Sequence, residues 1–278
     1  MRFDSVVFAD SASLAALSCF SRLRSEREAG RKSLLVPLVD PSGAEFIEAR
    51  GLGAVRRFEE VEGDSIAPSQ PWRERISVVI RRLGPRHVMA PLGLVGAPQA
   101  IDYFKTLRAA LSVDPGRDLL FFEERPHCLV AESVRLRLAG LGVRLPPASQ
   151  LRSPRRYGFF ALRLLTGVGV PPIFGGLRER ARLSASMRPS FREAASWDPQ
   201  RALGPKLQPV IEPWADRDST DLFALAADLG LEGRLGSKKA FGRRMARHAA
   251  GAGNRAPMER YWLSLPAQAD ADPISDTW

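Results

Sequence analysis

The feature that most constrains this chain is a rhythm in its first half, where short apolar runs alternate with amphipathic stretches. Ser5 to Ala9 is apolar and is followed by a helical pattern over Leu14 to Glu28, ending near Gly30. Ser33 to Leu38 is the next run, with Pro41 and Gly43 after it. Trp72 to Leu83 places Ile76, Val79, Ile80 and Leu83 on one helical face, and Gly84-Pro85 stops it. His87 to Ala90 then enters the turn Pro91-Leu92-Gly93-Leu94-Val95-Gly96. Ala97 to Leu111 again has helical spacing, and Asp114-Pro115-Gly116 introduces the run Asp118 to Phe122. Period-3.6 segments alternating with short apolar runs read as helices and buried strands. This predicts an α/β fold: a Rossmann-like, mostly parallel sheet flanked by helices. In such sheets ligands bind beyond the C-terminal strand ends. Ala9 to Leu14, Gly93 to Ala100 and Glu123 to His127 are therefore predicted to meet at one crevice.

The second half is less regular. Ser153-Pro154-Arg155-Arg156 and the Ser/Pro/Arg-rich stretch Ser184 to Pro199 read as surface connections. Thr220 to Leu229 and Lys238 to Ala250 read as helices, with Ser237 placed to cap the latter. Residues 258–265 read as a late strand. No repeat of solenoid period is present. The expectation is one domain over residues 1–278: a regular βα core over 1–150 and a helical extension over 151–278.

Composition narrows the chemistry. Among 278 residues there are three His (His87, His127, His248) and two Cys (Cys19, Cys128). That excludes a disulfide scaffold and a zinc ribbon or finger. It leaves little for a His-rich metal centre. The net charge is +10, but all except five of the 41 basic residues are Arg. A coding bias accounts for this better than nucleic-acid binding, since no RNP motif or run of interleaved aromatics accompanies it. Met1 to Phe8 carries Asp4 and lacks a signal-peptide pattern. Phe159 to Leu177 is interrupted by Arg163 and Pro171-Pro172, so it is expected not to span a membrane. Unpaired Cys and no export signal give a cytoplasmic expectation.

Four segments, in order, carry a family resemblance. Pro91-Leu92-Gly93-Leu94-Val95-Gly96 resembles the "PLGxGGHxDH" segment of the PIG-L/LmbE-like N-deacetylases. Leu119 to His127 is similar to their "LLFYEDLPY". Ala16-Leu17-Ser18-Cys19 resembles the end of "SPHxDDAxLSCG", and Glu259-Arg260-Tyr261-Trp262 their closing "ERYW". The resemblance implies an LmbE-like fold and a zinc-dependent hydrolysis of an acetamide on an amino sugar or similar substrate. Three protein ligands leave a position for water, the cation lowers its pKa, and a carboxylate takes the proton.

Position by position, the implied ligands are missing. Ser11 stands at the His, Ser13 at the general-base Asp and Leu14 at the ligand Asp. Ala97 and Ala100 stand at the two His of the second motif. Hydroxyl, isobutyl and methyl groups do not replace imidazole and carboxylate on Zn²⁺. The expectation is therefore no metal or other cofactor. Asp10, Glu123 and His127 are the remaining groups for metal-independent chemistry. Ser11, Ser13, Gly93, Ala97, Ala100, Glu124 and Arg125 are expected to line the crevice. By the resemblance Glu123 is expected to orient pocket groups; otherwise it caps a helix or pairs with Arg125. His87 reads as structural or solvent-exposed, far from the crevice, Cys19 as packing, and His248, among Arg243, Arg244 and Arg247, as surface. The functional expectation is a catalytically inactive deacetylase relative that binds a glycan, another small molecule or a protein partner. The alternatives are a metal-independent enzyme in the same crevice and a residually active N-deacetylase.

Overall fold

The computed structural model describes residues 3–63, 69–94, 105–109, 116–125, 127–130, 133–141, 158, 161–162, 164–167, 176–196, 207–214, 216–251 and 256–265. Among the described residues, seven strands form one sheet: β1 (Ser5–Ser11), β2 (Ser33–Asp40), β3 (Ala54–Val55), β4 (His87–Pro91), β5 (Asp118–Phe122), β6 (Leu207–Pro213) and β7 (Met258–Ser264), in the order β3-β2-β1-β4-β5-β7-β6. The first five are mutually parallel. β7 runs antiparallel to β5, and β6 antiparallel to β7. This is the mostly parallel α/β sheet that the sequence rhythm predicts.

The central strands carry continuous apolar runs because helices cover both faces. Val6, Val7 and Phe8 on β1, Leu34 to Val36 on β2 and Val88 to Ala90 on β4 are all buried. Each large side chain of this kind stabilises the fold by about 1.5–3 kcal/mol. The chain steps from β1 to β2 and β3 on one side, then returns to β4 and β5 on the other. The β1–β4 boundary is therefore the switch point, where a parallel sheet opens a crevice beyond its strand ends. The β1–β2 register shifts between Ala9 and Ser11, next to Pro37. Proline has no N–H for the ladder, so a bulge forms near the C-terminal end of β1.

Three expectations are corrected. The helical stretch from Leu14 to Glu28 is two helices, Ala12–Ser18 and Phe20–Glu28, broken at Cys19. Much of Ser184 to Pro199 is not a connection but lies in the helix Leu177–Ser196, where Arg, Ala and Glu outweigh one Pro and Leu183 is buried. β6 was not anticipated: it is an edge strand whose Pro209 and Pro213 read as turn residues. The helix Trp72–Leu83 ends where expected, at Gly84 in the left-handed region (φ 56°). Thr220 to Leu229 falls largely within Asp216–Asp228. The helix Lys238–Gly251 is capped by Ser237, whose Oγ accepts the Ala240 N–H at 3.3 Å. Of Ala97 to Leu111, residues 105–109 are helical and the others lie outside the described residues, as does Ser153 to Arg156. Among the described residues no helix is long and apolar enough to cross a membrane.

Candidate functional site

Three parallel strands end side by side, and each delivers a different kind of group. At the end of β1, Asp10 is half-buried on the bulged segment. Ser11 is the N-cap of Ala12–Ser18, its Oγ accepting the Leu14 N–H at 3.5 Å. Ser13 is buried, and its hydroxyl donates to the Ser42 carbonyl at 2.6 Å. Gly43 follows with φ 83°, so close that a Cβ there would stand 2.7 Å from Ser13 Oγ. Both hydroxyls are engaged with backbone, and Leu14 brings only hydrocarbon.

At the end of β4, Gly93 turns the chain with φ 77°, which a residue bearing a Cβ adopts only with strain. Glu124, from the end of β5, holds this turn: its Oε1 accepts the Leu94 N–H at 2.7 Å. Burial pushes the Glu124 carboxyl up to about 7, against the pull of those backbone amides and of Arg137. Arg137 in turn donates from Nε to the Leu92 carbonyl at 3.0 Å. Gly96, Ala97 and Ala100 lie outside the described residues.

The segment after β5 divides its side chains among different neighbours. Arg125 points back toward the helix Ala12–Ser18. Its Nη1 donates to the Leu17 carbonyl at 2.7 Å, its backbone N–H to Ser18 Oγ at 2.9 Å, and its Nη2 to Glu259 at 2.5 Å. The guanidinium also lies 4.7 Å from the Trp214 ring centroid. Glu259 accepts further from Tyr261 Oη at 2.6 Å and from the Arg22 N–H at 3.2 Å. Arg125 thus belongs to a buried frame joining β5, β7 and the first two helices.

Glu123 does not pair with Arg125. Its Oε1 accepts from Arg260 Nε at 2.5 Å and from Trp262 Nε1 at 2.9 Å. Its Oε2 lies 2.7 Å from His248 Nε2. Burial alone would raise this carboxyl, but His248 and Arg260 outweigh it and lower it to about 2. The expectation that His248 is a surface residue is corrected here: its side chain is 11% exposed and joins Lys238–Gly251 to the end of β5. The sequence did hold a signal, since Phe241, Met245 and His248 recur at helical spacing and the first two are buried.

His127 opens a short 3-10 turn, His127–Leu129, and burial pushes its pKa down to about 4, so it is neutral near pH 7. Cys128, beside it, is buried, and burial together with Glu123 pushes its thiol up. Glu123, Cys128 and His248 bring one carboxylate oxygen, one sulfur and one imidazole nitrogen within 4.8 Å of one another. His87, at the opposite end of β4, has Nδ1 3.1 Å from Asp118 and is structural as expected.

An open α/β protein with a buried carboxylate–arginine frame at its strand ends is the class that this geometry defines. No protein-family model and no curated protein sequence matches the chain. Among solved structures it is similar to the pseudoaglycone deacetylase Dbv21, with a TM-score of 0.52 at 12% identity over 97% of this chain and 100% of that one. It is also similar to the zinc-inhibited form of the teicoplanin deacetylase Orf2, with a TM-score of 0.52 at 11% identity over 95% and 99%. At these identities the shared property is the fold. A zinc centre at the positions the family resemblance implies does not fit the residues present. Ser11 and Ser13 are committed to backbone and Leu14 carries no donor.

Proposed function

We propose that this protein is a deacetylase-fold chain without the metal-dependent hydrolytic centre, using its strand-end crevice to bind a glycan or sugar-nucleotide ligand. The observation that carries this reading is the engagement of Ser13. Where the resemblance asks for a general base, a buried hydroxyl is bonded to the Ser42 carbonyl. Ser11 beside it serves as a helix cap. Meanwhile Glu124 on Leu94 and Arg125 on Glu259 keep the ends of β4 and β5 shaped. Loss of the reacting groups with retention of the walls favours recognition over turnover.

The test is acetate release from N-acetylglucosamine and from a uridine-diphosphate N-acetyl sugar, with Zn²⁺ added and with a chelator. The expected result is no release above the protein-free rate, with calorimetric binding of one probe that persists in the chelator. Release that follows added Zn²⁺ and disappears with the chelator overturns the reading, as does the absence of binding by either probe.

A further inference from the structure

We infer that Glu123, Cys128 and His248 form a site for a thiophilic divalent cation, Zn²⁺ by ligand type, on the β7 side of the strand ends. This is separate from the positions at which the family resemblance implies a metal, and it does not depend on the crevice binding a ligand.

The three donors come from distant parts of the chain: the end of β5, the turn that follows it, and the helix Lys238–Gly251. Their ligand atoms lie within 4.8 Å of one another. One carboxylate oxygen, one thiolate and one imidazole are a donor set that borderline-soft Zn²⁺ accepts, and three protein ligands leave a fourth position open. The same three residues line a small cleft, open at its mouth, whose cavity volume of about 10 Å³ is that of a single water-sized body, so it admits one ion. Met245 and Met258 line it too. Their thioethers give polarizable walls.

The surroundings orient the ligands. Arg260 and Trp262 both bond Oε1 of Glu123, which turns Oε2 toward His248 as a one-oxygen ligand. Donors of this kind behind a metal-binding carboxylate fix its rotamer. Tetrahedral ligands about 2.0–2.3 Å from Zn²⁺ stand roughly 3.3–3.6 Å apart. The Glu123–His248 contact at 2.7 Å therefore opens by about half an ångström when an ion enters. Arg260 and Arg125 are already matched by Glu123 and Glu259, so Cys128 supplies the added negative charge. The thiol proton leaves to solvent as the Zn–S bond forms.

The experiment uses tag-free full-length protein, stripped of metal and titrated with Co²⁺ alone, then reconstituted with Zn²⁺. One Co²⁺ per chain is expected, with tetrahedral visible bands and a near-ultraviolet thiolate charge-transfer band. Cys128→Ser removes the charge-transfer band, His248→Ala weakens binding at least tenfold, and Cys19→Ser changes neither. Near-ultraviolet circular dichroism checks that each variant folds. X-ray absorption of the Zn²⁺-loaded wild-type protein needs no variant and is expected to give one sulfur at about 2.3 Å with nitrogen and oxygen neighbours. Absence of stoichiometric Co²⁺, a charge-transfer band that survives Cys128→Ser, or a zinc shell without sulfur overturns the site.

Discussion

Arg125 and Glu259, separated by 134 residues, meet as an ion pair at 2.5 Å with both side chains 3% exposed. The contact ties the end of β5 to the start of β7 and thereby fixes where the antiparallel pair joins the parallel sheet. Removing one member leaves a buried charge unmatched, which costs about 3–5 kcal/mol. Arg125→Met and Glu259→Gln are each expected to lose that much in urea unfolding. The double variant is expected to lose clearly less than the two together, because neither charge is then stranded. Additive losses would mean that the pair is not coupled.

Ser13 gives a second expectation. Its hydroxyl is buried and donates to Ser42, so Ser13→Ala costs about 1 kcal/mol, the net worth of one hydrogen bond. Ser13→Asp sets a carboxylate against that carbonyl in a buried place and costs about 3 kcal/mol or more. Gly43→Ala is costly for another reason. It places a Cβ 2.2 Å from Leu229 Cδ2 at a φ of 83°. Thermal melts of the three variants are expected to rank Ser13→Ala above the other two.

His87 supplies the pH dependence. Burial lowers its pKa and Arg22 and Arg86 reinforce that, while Asp118 and Glu26 oppose it. The unfolded chain takes up a proton below its ordinary value of about 6.5, and the folded chain resists. Stability from this group is therefore present above that value and lost as pH falls through it. His87→Asn is expected to destabilise less, relative to wild type, at pH 5 than at pH 8. A difference in urea midpoint that is the same at both pH values would refute this.

The parallel core was legible because β1, β2, β4 and β5 are buried on both faces and so read as unbroken apolar runs. β3 was not, since two residues carry no period, and β6 was not, since an edge strand tolerates Pro209 and Pro213. That Ser11, Ser13 and Leu14 stand where the resemblance implies ligands could be read directly, as side-chain chemistry needs no coordinates. The Arg125–Glu259 frame could not, because 134 residues of chain lie between its members. His248 falls between these cases. Arg243 and Arg247 made its helix look solvated, while its spacing from Phe241 and Met245 placed it on the buried face.

Glu124 and the Gly93 turn give the last prediction. The Leu94 N–H, fully buried with its residue, has the Glu124 carboxylate as its acceptor at 2.7 Å. Glu124→Ala strands that amide, costs about 1–3 kcal/mol, and loosens a turn already committed to φ 77° at Gly93. Amide exchange at Leu94 is expected to accelerate more than at Met89, which sits inside β4. Glu124→Gln behaves oppositely: its amide oxygen still accepts the bond, and no charge is buried. Because burial disfavours the ionised carboxyl here, the Gln variant is expected to match or exceed wild-type stability at pH 8 and to protect Leu94 equally. Equal acceleration in both variants would mean that the carboxyl does not hold the turn.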